Sequence, residues 1–84
     1  MGPWFTYILE CRGGSLYVGI TNDLDARLRA HNAGRGARYT AGRRPVVLRY
    51  QESHPTRSAA LKRECAIKRW RRGKKQVFLG AWRA

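Results

Sequence analysis

A pair of glycines between two β-rich runs constrains the fold of this chain more than any other feature. Residues 4–9 and 15–20 are rich in aromatic and β-branched side chains, and the connection between them contains Arg12-Gly13-Gly14. Adjacent glycines in so short a connection are typical of a β-hairpin. The chain is therefore expected to begin with two antiparallel strands.

A helix and a third strand are predicted after the hairpin. Residues 21–23 (Thr-Asn-Asp) provide oxygen atoms suited to capping a helix amino terminus, and Gly34 is suited to the position just after its carboxyl terminus. Residues 34–42, rich in Gly and Arg, are expected to form a loop. Residues 46–50 (Val-Val-Leu-Arg-Tyr) predict the third strand.

The carboxyl-terminal part of the chain predicts two more helices. The first is expected to begin at residues 55–56 and to run to about Arg72, where Gly73 would stop it. Residues 74–79 predict a short last helix, with Trp82 packing back. The order β-β-α-β-α-α predicts one α+β domain over residues 1–84, with helices flanking a three-stranded antiparallel sheet.

The charge of the chain predicts an anionic partner. Lys and Arg number 18 against 5 Asp and Glu, a formal net charge of +13, and thirteen of these cations lie in residues 43–84. Cations that neutralise phosphates release counterions from nucleic acid, and the arginine fork suits phosphate geometry. A solvated basic face without a partner is the alternative. Adhesion to anionic lipid is less favoured, because no segment joins the basic run to an apolar stripe.

The compartment is expected to be the cytoplasm. Residues 1–5 lack the basic opening and long apolar run of a secretory signal, and no stretch approaches the ~20 apolar residues of a membrane span. Two cysteines, Cys11 and Cys65, do not make a disulfide framework. We expect a reduced protein that associates with the nucleoid when it is bound to DNA.

Glu64 is the acidic residue with the greatest functional potential. Helical spacing places it with Ala60 and Ile67 on the apolar side of its helix, where a carboxylate is costly unless a cation answers it. Arg57 or Lys68 could supply that cation in a structural ion pair. The alternative is a divalent metal ion, and one carboxylate with waters and substrate phosphate is a shell that suits Mg²⁺.

Two residue pairs could complete a site. Arg27 and His31 lie four residues apart on the first helix and share a face, so an Arg that grips phosphate could stand beside a His that moves a proton. A solvated helix surface is the alternative for them. Tyr7 and Tyr17 fall on adjacent strands, where a cation or metal would lower the phenol pKa but where tyrosines ordinarily pack.

Several segments together resemble the GIY-YIG nuclease domain. They are, in order, Tyr7-Ile8-Leu9, Leu16-Tyr17-Val18-Gly19-Ile20-Thr21, Arg27-Leu28-x-x-His31-Asn32, Gly34-x-Gly36-Ala37-x-Tyr39-Thr40, and Glu64 with Ile67-Lys68. The resemblance spans about residues 4–80 and is closest to the small stand-alone bacterial members. It implies a three-stranded antiparallel sheet flanked by helices.

The resemblance also implies an activity, which is phosphodiester hydrolysis dependent on Mg²⁺ or Mn²⁺. Tyr17 would act as general base, and Tyr7 would hydrogen-bond the reacting phosphate or water. Arg27 would stabilise charge on the phosphoryl oxygens, His31 would assist by hydrogen bonding, and Glu64 would bind the metal ion. Phe5-Thr6 replace the name-giving Gly-Ile, and residues 74–77 contain no equivalent of the Asn that many members carry.

The expected substrate is DNA, in single-stranded or branched form. The residues expected to bind it lie in the basic second helix, just beyond it and in the Gly-rich loop: Arg35, Arg38, Tyr39, Lys68, Arg69 and Arg72. Tyr39 or Trp70 could stack an unpaired base, although Trp70 fits the core better. The alternatives to a nuclease are a catalytically weak nucleic-acid-binding module and a component of a repair or recombination assembly that needs a protein partner.

Overall fold

Three antiparallel strands form the sheet in the computed structural model, which describes residues 2–81. They are β1 (Trp4–Glu10), β2 (Leu16–Thr21) and β3 (Val47–His54), in the spatial order β2-β1-β3. Gly13 and Gly14 connect β1 to β2 with φ angles of 90° and 93°, a region that L side chains rarely adopt. The predicted hairpin is therefore confirmed, and it leaves β1 in the centre of the sheet.

Four helices accompany the sheet within the described residues. They are α1 (Leu24–Asn32), α2 (Arg38–Ala41), α3 (Arg57–Lys68) and α4 (Arg72–Ala81). The Asp23 side chain caps α1 by accepting a hydrogen bond from the Ala26 N–H, and Gly34 follows the helix with a φ of 84°. The α+β fold with helices flanking a three-stranded antiparallel sheet is confirmed, and so are both ends of its first helix.

The predicted end of the second helix is wrong. α3 ends at Lys68, because the Trp70 N–H donates to the Ile67 carbonyl in a tight final turn at 3.0 Å. Gly73 does not stop a helix, since it is the second residue of α4. Glycine marks a helix end only where the backbone turns into the left-handed region, and Gly73 does not have a positive φ.

Two other predicted segments differ in extent. β3 continues to His54, beyond the expected residue 50, because it pairs with β1 as far as Trp4. Within residues 34–42, which were expected to be a loop, the short helix α2 forms. The expected packing of Trp82 concerns a residue outside the described range. No helix of residues 2–81 combines the length and apolar composition that crossing a bilayer requires.

Alternation along the strands divides the core between two faces of the sheet. On one face, Ile8, Val18 and Tyr50 of the strands pack with Ile67 of α3 and Leu79 of α4. We call this cluster the apolar face. We call the other the tyrosine face, which consists of Tyr7, Leu9, Cys11 and Val46 and is covered by Leu24 and Leu28 of α1. Neighbouring residues of β1 thus belong to different cores.

Candidate active site

A cavity of about 450 Å³ lies beside the edge strand β2, and β1, β2, α1 and α3 all contribute to its wall. Four of the five residues expected to be catalytic line it, namely Tyr7, Tyr17, Arg27 and Glu64. The fifth, His31, does not line the cavity. It lies in contact with Tyr7 and is fully buried.

A chain of buried hydrogen bonds holds the Tyr7 phenol. The Tyr7 hydroxyl lies 3.0 Å from His31 Nε2, and His31 Nδ1 lies 2.8 Å from the Thr40 hydroxyl oxygen. The Thr40 hydroxyl donates in turn to the Ala37 carbonyl oxygen at 3.1 Å. The alternative that His31 lies on a solvated helix surface is therefore wrong, since 0% of the residue is exposed.

The direction of each proton in this chain follows from Thr40. Its single hydroxyl proton is donated to Ala37, so the Thr40 oxygen accepts a hydrogen bond from the His31 Nδ1–H. Burial, and secondly the charge of Arg27, lower the pKa of His31, which is neutral at pH 7. His31 Nε2 therefore carries no proton and accepts the hydrogen bond of Tyr7, by assignment from the bonding pattern.

His31 consequently acts on the cavity through Tyr7. With its proton directed at His31 Nε2, the Tyr7 oxygen can only accept further hydrogen bonds, from the neighbouring Arg27 or from a donor in the cavity. Burial raises the pKa of Tyr7 by more than the neighbouring Arg27 lowers it. Arg27 lowers the pKa of Tyr7, as expected of a nearby cation, but burial outweighs this effect, and Tyr7 remains a neutral phenol.

Two glycines make room for this pair of side chains. Gly19 faces Tyr7 across β1 and β2, and a Cβ atom at Gly19 would lie 2.6 Å from the Tyr7 hydroxyl oxygen. A Cβ atom at Gly36 would lie 2.3 Å from His31 Nδ1 and 2.8 Å from the His31 Cα. Any larger residue at either position would displace the ring beside it. This is the physical reason for glycine at both positions.

Arg27 presents an unused donor at the site. Its Nη2 donates to the Gly36 carbonyl oxygen at 3.0 Å, which fixes the guanidinium against the loop after α1. Its Nε is buried and has no hydrogen-bond partner among the described residues. Buried donors are nearly always paired, so an unpaired one on a guanidinium that lines a cavity suits an anionic ligand.

Glu64 takes the position that its spacing predicts. Its side chain is 14% exposed and lies on the side of α3 that carries the buried Ala60 and Ile67. Its carboxylate lines the cavity and also pairs with Lys68, whose Nζ lies 3.4 Å from Oε2. Pairs four residues apart on a helix contribute only about 0.3–0.5 kcal/mol, so Lys68 leaves Glu64 available to another cation.

The donor set at Glu64 fits one kind of metal ion. It is the only carboxylate among the residues that line the cavity, and residues 2–81 contain no cluster of three or more His, Cys, Asp or Glu that could hold a metal. Mg²⁺ keeps several waters and is commonly held by one or two carboxylates together with substrate phosphates. The cavity therefore suits a hard divalent cation that is completed by water and phosphate.

Trp4, Arg57 and Leu61 are among the residues of the cavity wall that the sequence interpretation missed. The Arg57 guanidinium lies 5.7 Å from the centre of the Trp4 ring, so a cation and an aromatic ring stand together at the cavity. One signal was available. Arg57, Leu61 and Glu64 are separated by four and then three residues, a spacing that places all three on one helix face.

The residues expected to bind nucleic acid are all exposed, and they are Arg35, Arg38, Tyr39, Lys68, Arg69 and Arg72. The Tyr39 ring stacks on Tyr17, with centres 6.1 Å apart, and the Arg43 guanidinium lies 4.0 Å from its centre. These two contacts hold the Tyr39 ring beside Tyr17. Trp70 packs against the core cluster of the apolar face, as expected.

The sequence of this chain is similar to the sequences of other bacterial proteins. The chain is 53% identical over 75 residues to a UPF0213 protein of Staphylococcus aureus strain N315, a match that covers 89% of this chain and 92% of that protein. It is 48% identical over 79 residues to the UPF0213 protein XAC3202 of Xanthomonas axonopodis pv. citri, covering 94% and 78% of the two chains.

Two solved structures share the fold. The solution NMR structure of protein EF2693 from E. faecalis gives a TM-score of 0.64 at 41% identity, covering 95% of this chain and 85% of that one. The solution NMR structure of the UPF0213 protein BH0048 from Bacillus halodurans gives 0.60 at 38%, covering 93% and 83%. Residues 3–76 match the GIY-YIG catalytic domain, which includes every residue of the cavity, and the chain belongs to this family.

Proposed function

We propose that this protein is an endonuclease that uses a divalent metal ion to hydrolyse phosphodiester bonds in DNA. The observation that carries the proposal is the convergence of Tyr7, Tyr17, Arg27 and Glu64 on one cavity. Membership of a family of catalytic domains supports it. The net charge of +13 supports a polyanionic substrate, because a basic surface steers such molecules and raises their local concentration.

The side chains of the cavity have complementary roles in this proposal. In its phenolate form, Tyr17 takes a proton from the attacking water as the water oxygen bonds to phosphorus and the ester P–O bond breaks. The guanidinium of Arg27, which lines the cavity, donates to the phosphoryl oxygen on which negative charge develops. Tyr7, whose own proton is held by His31, accepts a hydrogen bond from the attacking water. The leaving oxygen takes a proton from solvent.

Glu64 is the residue that would hold Mg²⁺ or Mn²⁺ in this cavity. Such an ion, when bound, supplies positive charge against the phosphoryl oxygens and lowers the pKa of bound water. His31 and Thr40 stay outside the cavity, where they fix the orientation of Tyr7. They are positioning residues in this proposal, since neither lines the cavity.

Cleavage of labelled DNA tests the proposal. Single-stranded, duplex and branched substrates, with an RNA strand for comparison, are incubated with Mg²⁺, Mn²⁺ or EDTA. We expect metal-dependent cutting that falls at least about 100-fold in Glu64→Gln and in Tyr17→Phe, as removal of a positioned catalytic group does. Asp25→Asn is the matched control, because it neutralises an exposed carboxylate outside the cavity and should cut normally.

The alternative activity gives a different outcome. Binding that weakens with salt, without cutting under any metal condition, would identify a nucleic-acid-binding module and contradict the proposal. Cutting that survives in Glu64→Gln would also contradict it, because the metal would then be held elsewhere. Circular dichroism of each variant shows whether a lost activity reflects a lost fold.

A further inference from the structure

A second cavity adjoins the first at the Tyr17 ring. It has a volume of about 240 Å³, and Tyr17 is the one residue that lines both cavities. Its wall is formed by β2, α2 and the facing ends of α3 and α4, through the residues Leu16, Tyr17, Val18, Tyr39, Lys68 and Lys75.

The lining of the second cavity combines positive charge with apolar surface. Lys68 and Lys75 are the charged residues among those of the described chain that line it, and none of these lining residues is a carboxylate. Leu16 and Val18 supply aliphatic surface, and Tyr39 supplies a ring that is already stacked on Tyr17. A nucleotide has the matching combination of a phosphate for the ammonium groups and an apolar sugar and base for the rest.

Lys68 connects the second cavity to the reaction site. It is the last residue of α3, it lines the second cavity, and its Nζ lies 3.4 Å from the Glu64 carboxylate in the first. Its side chain is 54% exposed, so it can turn from Glu64 towards a phosphate. Lys68 is therefore placed between Glu64 and the second cavity, which it lines together with Lys75.

We infer that the second cavity binds the nucleotide next to the scissile phosphate on the same strand. Its phosphate is held by Lys68 and Lys75, and its sugar and base lie against Leu16 and the Tyr39 ring. The cut strand then passes over Tyr17 from one cavity to the other. The inference rests on the proposed function, since it assigns a subsite to that substrate.

A scan with neutral phosphates tests the subsite without any cutting. Single methylphosphonates are placed along a DNA strand, and binding in EDTA is measured by fluorescence anisotropy for the full chain and for Lys75→Ala. We expect one position where the neutral phosphate weakens wild-type binding about three- to fivefold and weakens Lys75→Ala clearly less, since only Lys68 remains there to lose its phosphate. Lys62→Ala removes a charge from α3 outside both cavities and should behave as wild type.

The outcomes separate this inference from the proposed function. Equal losses at every position in wild type and Lys75→Ala would overturn the subsite, even if the protein cuts DNA. A position-specific loss that needs Lys75, in a protein that never cuts, would support the subsite and contradict the nuclease. In a protein that cuts, the sensitive position must adjoin the mapped cleavage site, and a sensitive position elsewhere would also overturn the inference.

Discussion

The two faces of the sheet bury their side chains to the same depth by different means. Ile8 and Tyr7 are neighbours in β1 with 0% and 1% of their surface exposed. Ile8 packs in the apolar face among aliphatic and aromatic groups, whereas Tyr7 is bonded to His31 on the tyrosine face. Burial of apolar surface is non-directional, while a hydrogen bond fixes one geometry.

The difference separates stability from position. Burial of nonpolar surface in the apolar face stabilises the folded protein, and the packing there tolerates small shifts of the side chains. On the tyrosine face the chain Tyr7–His31–Thr40 has a buried partner for each polar group, because an unpaired one would cost about 1–3 kcal/mol. That face yields less net stability and holds the phenol at the cavity.

The largest expected effect on stability lies in the apolar face. Leu79→Ala removes a side chain that is 3% exposed and should lower the free energy of unfolding by about 2–5 kcal/mol, measured by denaturant titration. Cutting per folded molecule should change less than about twofold. Val77→Ala is the matched control in α4, since Val77 is 76% exposed and should leave stability unchanged. Loss of cutting in folded Leu79→Ala would show that the two faces are not separable.

A substitution in the tyrosine face should reduce cutting by more than its effect on stability explains. In Gly36→Ala the new methyl group meets the His31 ring and backbone, so we expect a stability loss of about 1–3 kcal/mol. Cutting should fall by more than that loss explains, because a displaced His31 moves Tyr7. Gly42→Ala is the control, since nothing lies within 4 Å of a Cβ there. Normal cutting by folded Gly36→Ala would show that Tyr7 needs no fixed position.

The smallest expected effect is a decrease in the free energy of unfolding at low pH. The pKa of His31 lies below its ordinary 6.5 in the folded state, so the unfolded chain takes up the proton first as the pH falls. The free energy of unfolding should decline as the pH falls through about 6.5, where the unfolded histidine takes up its proton, by no more than about 1.4 kcal/mol per pH unit.

Denaturant titrations at several pH values measure this decline. His31→Gln should remove it between pH 6.5 and the range where carboxylates titrate, and His54→Gln should retain it. An equal decline in wild type and His31→Gln would show that His31 does not carry the effect.

Local signals made much of the fold predictable. The hairpin follows from Gly13-Gly14, and the first helix follows from Asp23 and Gly34, because each feature depends on the backbone of a few adjacent residues. The position of Glu64 was predictable for a related reason, since helical periodicity alone places it beside Ala60 and Ile67.

Contacts between distant segments explain what the sequence interpretation missed. A solvated face was the simplest alternative for His31, and only the return of residues 36–40 over α1 buries it. The place of Trp4 in the cavity wall depends on how α3 crosses the sheet, since the Arg57 guanidinium meets its ring. The end of α3 at Lys68 had no glycine or proline to mark it.

The order in which the cavity wall is encoded has a consequence during protein synthesis. Tyr7 and Tyr17 leave the ribosome early, and α3 follows only after all three strands. Since α3 brings the sole carboxylate among the described residues of that wall, a nascent chain that stops short of it has nothing there to hold a cation. Under the proposed function, such an unfinished polypeptide would be unable to cut nucleic acid.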